Sequence, residues 1–239
     1  LDFAYYTFHL PEEIEFVKKD DYVIFITRFI DEKRGFLEHA LSEQFFLSLQ
    51  ILEVLEGTHA TTFGHTKSIR HIFKIKTSQH YLSSFEKFNK EALAYNVEED
   101  TPFTAFEKAT SFIKENQGVL EYDSDFLTHS DLVPHNIRAV DGEVFLLDHT
   151  SLLFGNKYDG WARWLNYMVL YNSSLEQALT QYVKNNRPES EQLCLRLMRV
   201  YKLGYLIMFH LRAVIKSTGD LKELSRQRVL FWSQVMFAI

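Results

Sequence analysis

At 239 residues the chain is long enough for one large domain or two small ones, and its 46% apolar content is ordinary for a globular protein. A net charge of −6 speaks against a general nucleic-acid surface, and the single cysteine, Cys194, excludes an intrachain disulfide. No run of about 18 apolar residues marks a membrane span, no signal-peptide pattern is present, and a cytoplasmic location is expected.

Residues 12–19 and 22–30 read as two strands joined at Asp20-Asp21. The second is almost wholly apolar and is expected to be buried. Gly35 to Gly57 reads as a helix with Leu37, Leu41, Phe45, Leu49, Leu52 and Leu55 on one stripe and Gly57 as its C-cap. The stretch from Thr58 to His80 is the least readable. His59, His65, His71 and His80 lack the spacing of metal ligands, so core-edge or exposed histidines are the plain reading. Lys67, Arg70, Lys74 and Lys76 make the same stretch basic, which suits a solvated face or an anionic ligand. Two helices are expected at 81–96 and 101–117, split by Glu98-Glu99-Asp100, with Pro102 in the first turn of the second and Gly118 ending it. Further helices are expected from about Tyr158, over 175–185, over 190–217, and from Leu221 to the end. Hairpin, helices, a central hairpin and more helices give an α+β, helix-rich class, and no internal repeat suggests a solenoid.

The chemistry concentrates between Phe126 and Asp148 (FLTHSDLVPHNIRAVDGEVFLLD). Asp131 and Asn136 lie in a loop, Asp141-Gly142 is a strong hairpin signal, and the apolar run Val144 to Leu147 delivers Asp148 to the same place. Two carboxylates and an amide are hard oxygen donors of the kind that Mg²⁺ takes. Taken singly, each has a bland reading as a turn or cap residue. Together with Gly155 and Asp159 downstream, they form a set.

His129-x-Asp131-x-x-x-x-Asn136, a hairpin, Asp148, and then Gly155 to Asp159 resemble the catalytic segment of the aminoglycoside phosphotransferase and choline kinase family, relatives of the protein kinases. The resemblance implies a protein-kinase-like fold and transfer of the ATP γ-phosphoryl group to a hydroxyl of a small molecule, which could be aminoglycoside-, choline- or sugar-like. It implies Asp131 as the residue that orients or deprotonates the hydroxyl, Asn136 and Asp148 as Mg²⁺ ligands, and His129 as a brace of the loop. Asp159 would accept hydrogen bonds from the loop backbone, with Arg163 as its ion-pair neighbour. Backbone groups of Thr27, Arg28, Phe29 and Ile30 would form the hinge that holds adenine. Residues 1–30 would then be a remnant of the smaller lobe plus hinge, and 31–239 the helical lobe. Ser130, Val133, His135, His149 and Thr150 depart from the family's usual residues, and none of these departures removes a metal ligand.

The family also calls for a Gly-rich turn and a strand lysine before the hinge. Residues 1–11 contain no glycine, and Lys18 and Lys19 lie at the hairpin turn. The chain also starts at Leu1, so truncation upstream is the simplest expectation, which would leave this chain inactive alone. The alternative is a non-catalytic kinase-like binding or regulatory protein that lacks the phosphate-binding lobe. An unrelated hydrolase or metal protein built on Asp131, Asp148 and His129 or His149 is the third reading. Neither a nucleic-acid nor a membrane partner is expected. An acidic cleft for a cationic substrate could come from Glu98, Glu99 and Asp100, or from Asp123 and Asp125.

Overall fold

The computed structural model describes residues 7–94 and 101–239. The chain opens with an antiparallel hairpin of β1 (Glu13–Lys19) and β2 (Tyr22–Thr27), with Phe16 opposite Phe25. The expected burial of β2 is not found: exposure of its apolar residues, Tyr22 to Ile26, runs from 39% at Ile24 to 54% at Val23. Apolar composition buries a strand only where a second layer covers it, and no described helix packs broadly against this hairpin. The segment before it is tied inward instead. His9 N donates to Val144 O (2.9 Å), and Leu146 N donates to His9 O (2.9 Å).

The long helix α1 covers Leu41–Phe63, starting and ending later than expected, so Gly57 lies inside it and caps nothing. Its buried face carries Gln44, Ser48, Ile51, Leu52, Val54, Leu55, Thr58, His59 and Thr62, while Leu37 and Leu41 are exposed. The true stripe is therefore partly polar. Ser48, Thr58 and Thr62 hide their hydroxyls by donating to carbonyls four residues back in the same helix (2.6–2.9 Å). A leucine count could not have found that face.

Then follow α2 (Thr66–Ile69), β3 (Lys74–Ile75), α3 (Ser78–Ala94), α4 (Thr101–Glu115) and α5 (Gln117–Tyr122). Gly118 falls within α5 rather than ending α4. The acidic stretch Glu98-Glu99-Asp100 lies outside the described residues. Next come β4 (Phe126–His129), β5 (Ile137–Val140), β6 (Glu143–Leu146) and β7 (Leu152–Gly155). The fold closes with α6 (Asp159–Tyr171), α7 (Ser173–Asn186), α8 (Glu189–Lys216) and α9 (Gly219–Ala238). β7 is central in a short sheet, parallel to β3 and antiparallel to β4. These strands of two to four residues are too short to show a periodicity. β5 and β6 form the expected hairpin, with Asp141 at φ 52° and Gly142 at φ 83°, as a type I′ turn requires.

The core lies where α8 meets α3, α6 and α9, and includes the fully buried Tyr81, Phe85, Phe106 and Trp164. Among the described residues, no helix is long and apolar enough to cross a membrane.

His59 is 6% exposed, and its Nε2 has no hydrogen-bond partner among the described residues. It is therefore a core residue rather than a core-edge one. Burial pulls its pKa from 6.5 down to about 3, and the charge of Lys157 adds to the effect. The folded pKa lies below the unfolded one, so the unfolded chain takes up the proton first and stability falls as pH drops below 6.5. Between pH 7 and pH 5 this group removes about 2 kcal/mol of folding stability. Urea unfolding of His59→Phe at both pH values is expected to show a pH dependence smaller by about that amount; identical pH slopes in variant and parent would reject the assignment.

Candidate active site

The sequence between β4 and β5 folds as a loop pinned by its apolar residues. Leu132 and Val133 are completely buried, and Pro134 to Asn136 form a single 3₁₀ turn. That leaves the polar side chains on either side of the anchor, Asp131 and Asn136, on the solvent side of the loop, partly exposed. Leu147 N donates to Asn136 O (3.0 Å), which sets the end of the β6 strand against the turn and places Asp148 beside Asn136 in the fold.

Asp131 Oδ1 accepts from Arg163 Nε (2.7 Å). Asn136 Nδ2 donates to the Asp131 carbonyl (2.9 Å) and to Asp131 Oδ2 (3.3 Å), which leaves Asn136 Oδ1 as an open acceptor among the described residues. Partial burial raises the pKa of Asp131, but the charge and hydrogen bond of Arg163, aided by Lys202, outweigh it and hold the carboxyl below its ordinary value. Asp148 accepts from Thr150 Oγ1 (2.6 Å), Ser151 Oγ (2.7 Å) and Thr150 N (3.2 Å). The side-chain hydrogen bonds from Thr150 and Ser151 lower its pKa, so both carboxylates are ionised near neutrality.

His129 is fully buried, and its Nε2 donates to the Asp148 carbonyl (2.5 Å). A carbonyl only accepts, so Nε2 carries the proton and Nδ1, without a partner among the described residues, is bare. Burial lowers its pKa. A neutral, buried ring bonded to the backbone on the far side of the site fits a brace.

Asp159 differs from its expected surroundings. It is completely buried at the start of α6, paired with Lys202 and accepting from Tyr81 Oη (3.1 Å). The loop backbone is reached one step later, where Lys202 Nζ donates to Ser130 O (2.7 Å). Arg163 pairs with Asp131 rather than with Asp159, whose cation is Lys202. Tyr81 Oη also accepts from Asn156 N (3.0 Å), and a Cβ on Gly155 would overlap that hydroxyl. Glycine at 155 is thus required by the close approach of Tyr81.

The segment Thr27 to Ile30 leaves β2, with Arg28 N bonded to Glu12 O (2.8 Å) and Phe29 83% exposed. The hairpin reaches the site through Phe25, whose ring meets His149 edge-on at 5.8 Å. Asp123 and Asp125 do not line an acidic cleft: Asp123 is buried against Lys157, and Asp125 pairs with Arg70. Among the described residues no group of three or more His, Cys, Asp or Glu side chains is placed to hold a metal.

No protein-family model matches this sequence, and no curated protein matches it. Solved structures do. The apo form of a thermostable mutant of the aminoglycoside phosphotransferase APH(4)-Ia aligns with a TM-score of 0.68 at 13% identity, over 98% of this chain and 80% of that chain. The GDP complex of wild-type aminoglycoside 2'-phosphotransferase-IIIa gives 0.68 at 10% identity, over 96% and 77%. A GDP and kanamycin complex of an APH(2") enzyme gives 0.66 at 12%, again over 96% and 77%. At these identities the likeness is one of fold: the α+β, helix-rich, protein-kinase-like fold of the aminoglycoside phosphotransferases.

Lys202, Tyr81 and Ser151 contact the candidate site without having been singled out from the sequence, and Thr150 stood out there only as a departure from the family's usual residue. For Lys202 a signal was present: it stands, with Arg199, inside the apolar run Leu197 to Ile207, where a cation implies a buried partner. Lys202→Met should leave Asp159 buried without its cation and cost about 3–5 kcal/mol of stability, whereas Asp159→Leu with Lys202→Met should recover most of that loss. Chemical denaturation decides: a double variant no more stable than the single one would show that the pair is not the unit described.

Proposed function

We propose that this chain transfers the γ-phosphoryl group of ATP to a hydroxyl of a small molecule. The observation that carries the reading is the grouping of Asp131, Asn136 and Asp148: Asn136 is bonded to Asp131, and the amide of Leu147, next to Asp148 in the chain, is bonded to the Asn136 carbonyl. The aminoglycoside phosphotransferase fold supports it, as do nucleotides in the solved neighbours.

On this reading Asp131 Oδ2 receives the acceptor hydroxyl while Arg163 holds Oδ1 and fixes the carboxylate's direction. The lowered pKa of Asp131 makes it a weak base. Its main work is therefore to orient the hydroxyl, with the proton leaving late, as suits a loose phosphoryl transition state. The acceptor oxygen forms the new P–O bond as the bond from the γ-phosphorus to the bridging oxygen breaks. ADP departs, and the hydroxyl proton passes through Asp131 to water. Asn136 Oδ1 and the remaining lone pairs of Asp148 suit Mg²⁺, which takes one or two protein oxygens and fills its sphere with water and phosphates. Bound there, the metal would neutralise charge on the phosphates. Thr150 and Ser151 keep Asp148 ionised and aimed.

Residues 1–30 would serve as the smaller lobe's last strands and hinge, with the backbone of Thr27 to Ile30 holding adenine, and 31–239 as the helical lobe. One observation favours a second reading, a non-catalytic nucleotide-binding relative: both Asp148 oxygens are already engaged by their own loop.

The test is ADP formation by the chain with Mg²⁺-ATP across hydroxylated acceptors. Asp131→Asn should lower turnover by about 10²–10⁴-fold with nucleotide binding little changed. Turnover unaffected by that variant would remove Asp131 from the role, and nucleotide binding without any turnover would favour the second reading.

A further inference from the structure

A cavity of about 420 Å³ opens beside Asp131, between the loop and α8. Its charged lining among the described residues is Lys76, Arg163 and Lys202 against the single carboxylate of Asp131. Lys202 is matched by Asp159 behind the wall, and Arg163 spends only its Nε on Asp131. The two Nη groups of Arg163 have no hydrogen-bond partner among the described residues. Lys76, half-buried, pairs with no carboxylate among them; its ammonium lies 5.9 Å from the Tyr81 ring centre and 5.8 Å from that of Tyr201. Counting Asp159, three cations face two carboxylates, and the excess charge sits at Lys76.

A half-buried ammonium and a guanidinium edge facing one space form a site for a carboxylate or phosphate, because an unpaired cation loses hydration that only an anion restores in full. A polycation such as an aminoglycoside would meet like charge here. Leu206, Tyr205 and Phe209 supply an apolar and aromatic wall for the body of the ligand.

We propose that the acceptor at this site is a small hydroxylated anion, a hydroxy acid or a phosphorylated polyol, whose anionic group is held by Lys76 and the Nη edge of Arg163 while its hydroxyl reaches Asp131. This rests on the phosphotransferase reading only in naming the ligand an acceptor. The cavity's charge preference stands apart from it.

The experiment is equilibrium binding, by calorimetry without nucleotide, of glycerate, glycerol 3-phosphate, glycerol and kanamycin to the full chain. At least one of the two anions should bind saturably and more tightly than glycerol or kanamycin, and which one does so distinguishes carboxylate from phosphate. Lys76→Gln should weaken that binding by about tenfold or more, and Lys76→Arg should restore most of it. Tighter binding of kanamycin than of both anions, no saturable binding of either anion, or no effect of Lys76→Gln would each overturn the proposal. ADP formation is read separately. Turnover on kanamycin would remove the anion assignment and leave phosphoryl transfer standing. Lys76-dependent anion binding with no ADP formed from any acceptor would do the reverse.

Discussion

The buried pair of Lys202 and Asp159 is the constraint on which the site's geometry depends. Both residues are almost or wholly removed from solvent. An ion taken from water costs several kcal/mol unless its partners are close and complete. Asp159 is completed by Tyr81, and Lys202 by the Ser130 carbonyl. Four elements therefore meet at one electrostatic point: α3 through Tyr81, the loop through Ser130, α6 through Asp159 and α8 through Lys202. Since none of them can shift without stranding a charge, the position of Asp131, next in sequence to Ser130, is inherited from the core.

A second layer of hydrogen bonds translates that rigidity to the polar groups. His129 spans from β4 to the Asp148 carbonyl, and Asn136 spans from the 3₁₀ turn back to Asp131. Both connections use backbone acceptors, whose positions follow the chain rather than a side-chain rotamer. The outward-facing oxygens, on Asp131, Asn136 and Asp148, are thus mounted on the least adjustable part of the loop. The arrangement separates parts that hold from parts that reach. His129, Asp159 and Lys202 are buried, whereas Asp131, Asn136 and Asp148 are only partly so.

The grouping of the candidate site's residues was legible in the sequence because they are local: Asp131, Asn136, the Asp-Gly turn and Asp148 fall within one short segment, and the turn chemistry at Asp141-Gly142 fixes the register between them. What escaped was non-local. Lys202, 71 positions beyond Asp131, joins the site by tertiary packing alone. The same limit explains the fold-level differences. The helices α6 to α9 lie within a few residues of where the sequence places them, while α1 differs because its inner face uses Gln44, Ser48 and Thr58 where the sequence predicts a leucine stripe. The β2 strand was misjudged for the opposite reason: its apolar sequence says nothing about whether another layer is there to cover it.

That bare hairpin has a consequence for how the molecule moves. A two-stranded ribbon has little stability of its own in water, and this one is held at its margins, by the His9 bridge to β6 and by the ring of Phe25 on His149. Its amide protons therefore exchange through local opening, whereas those of α6 and α8 wait for the core to come apart. The chain carries two clocks, and the faster one ticks beside Asp148.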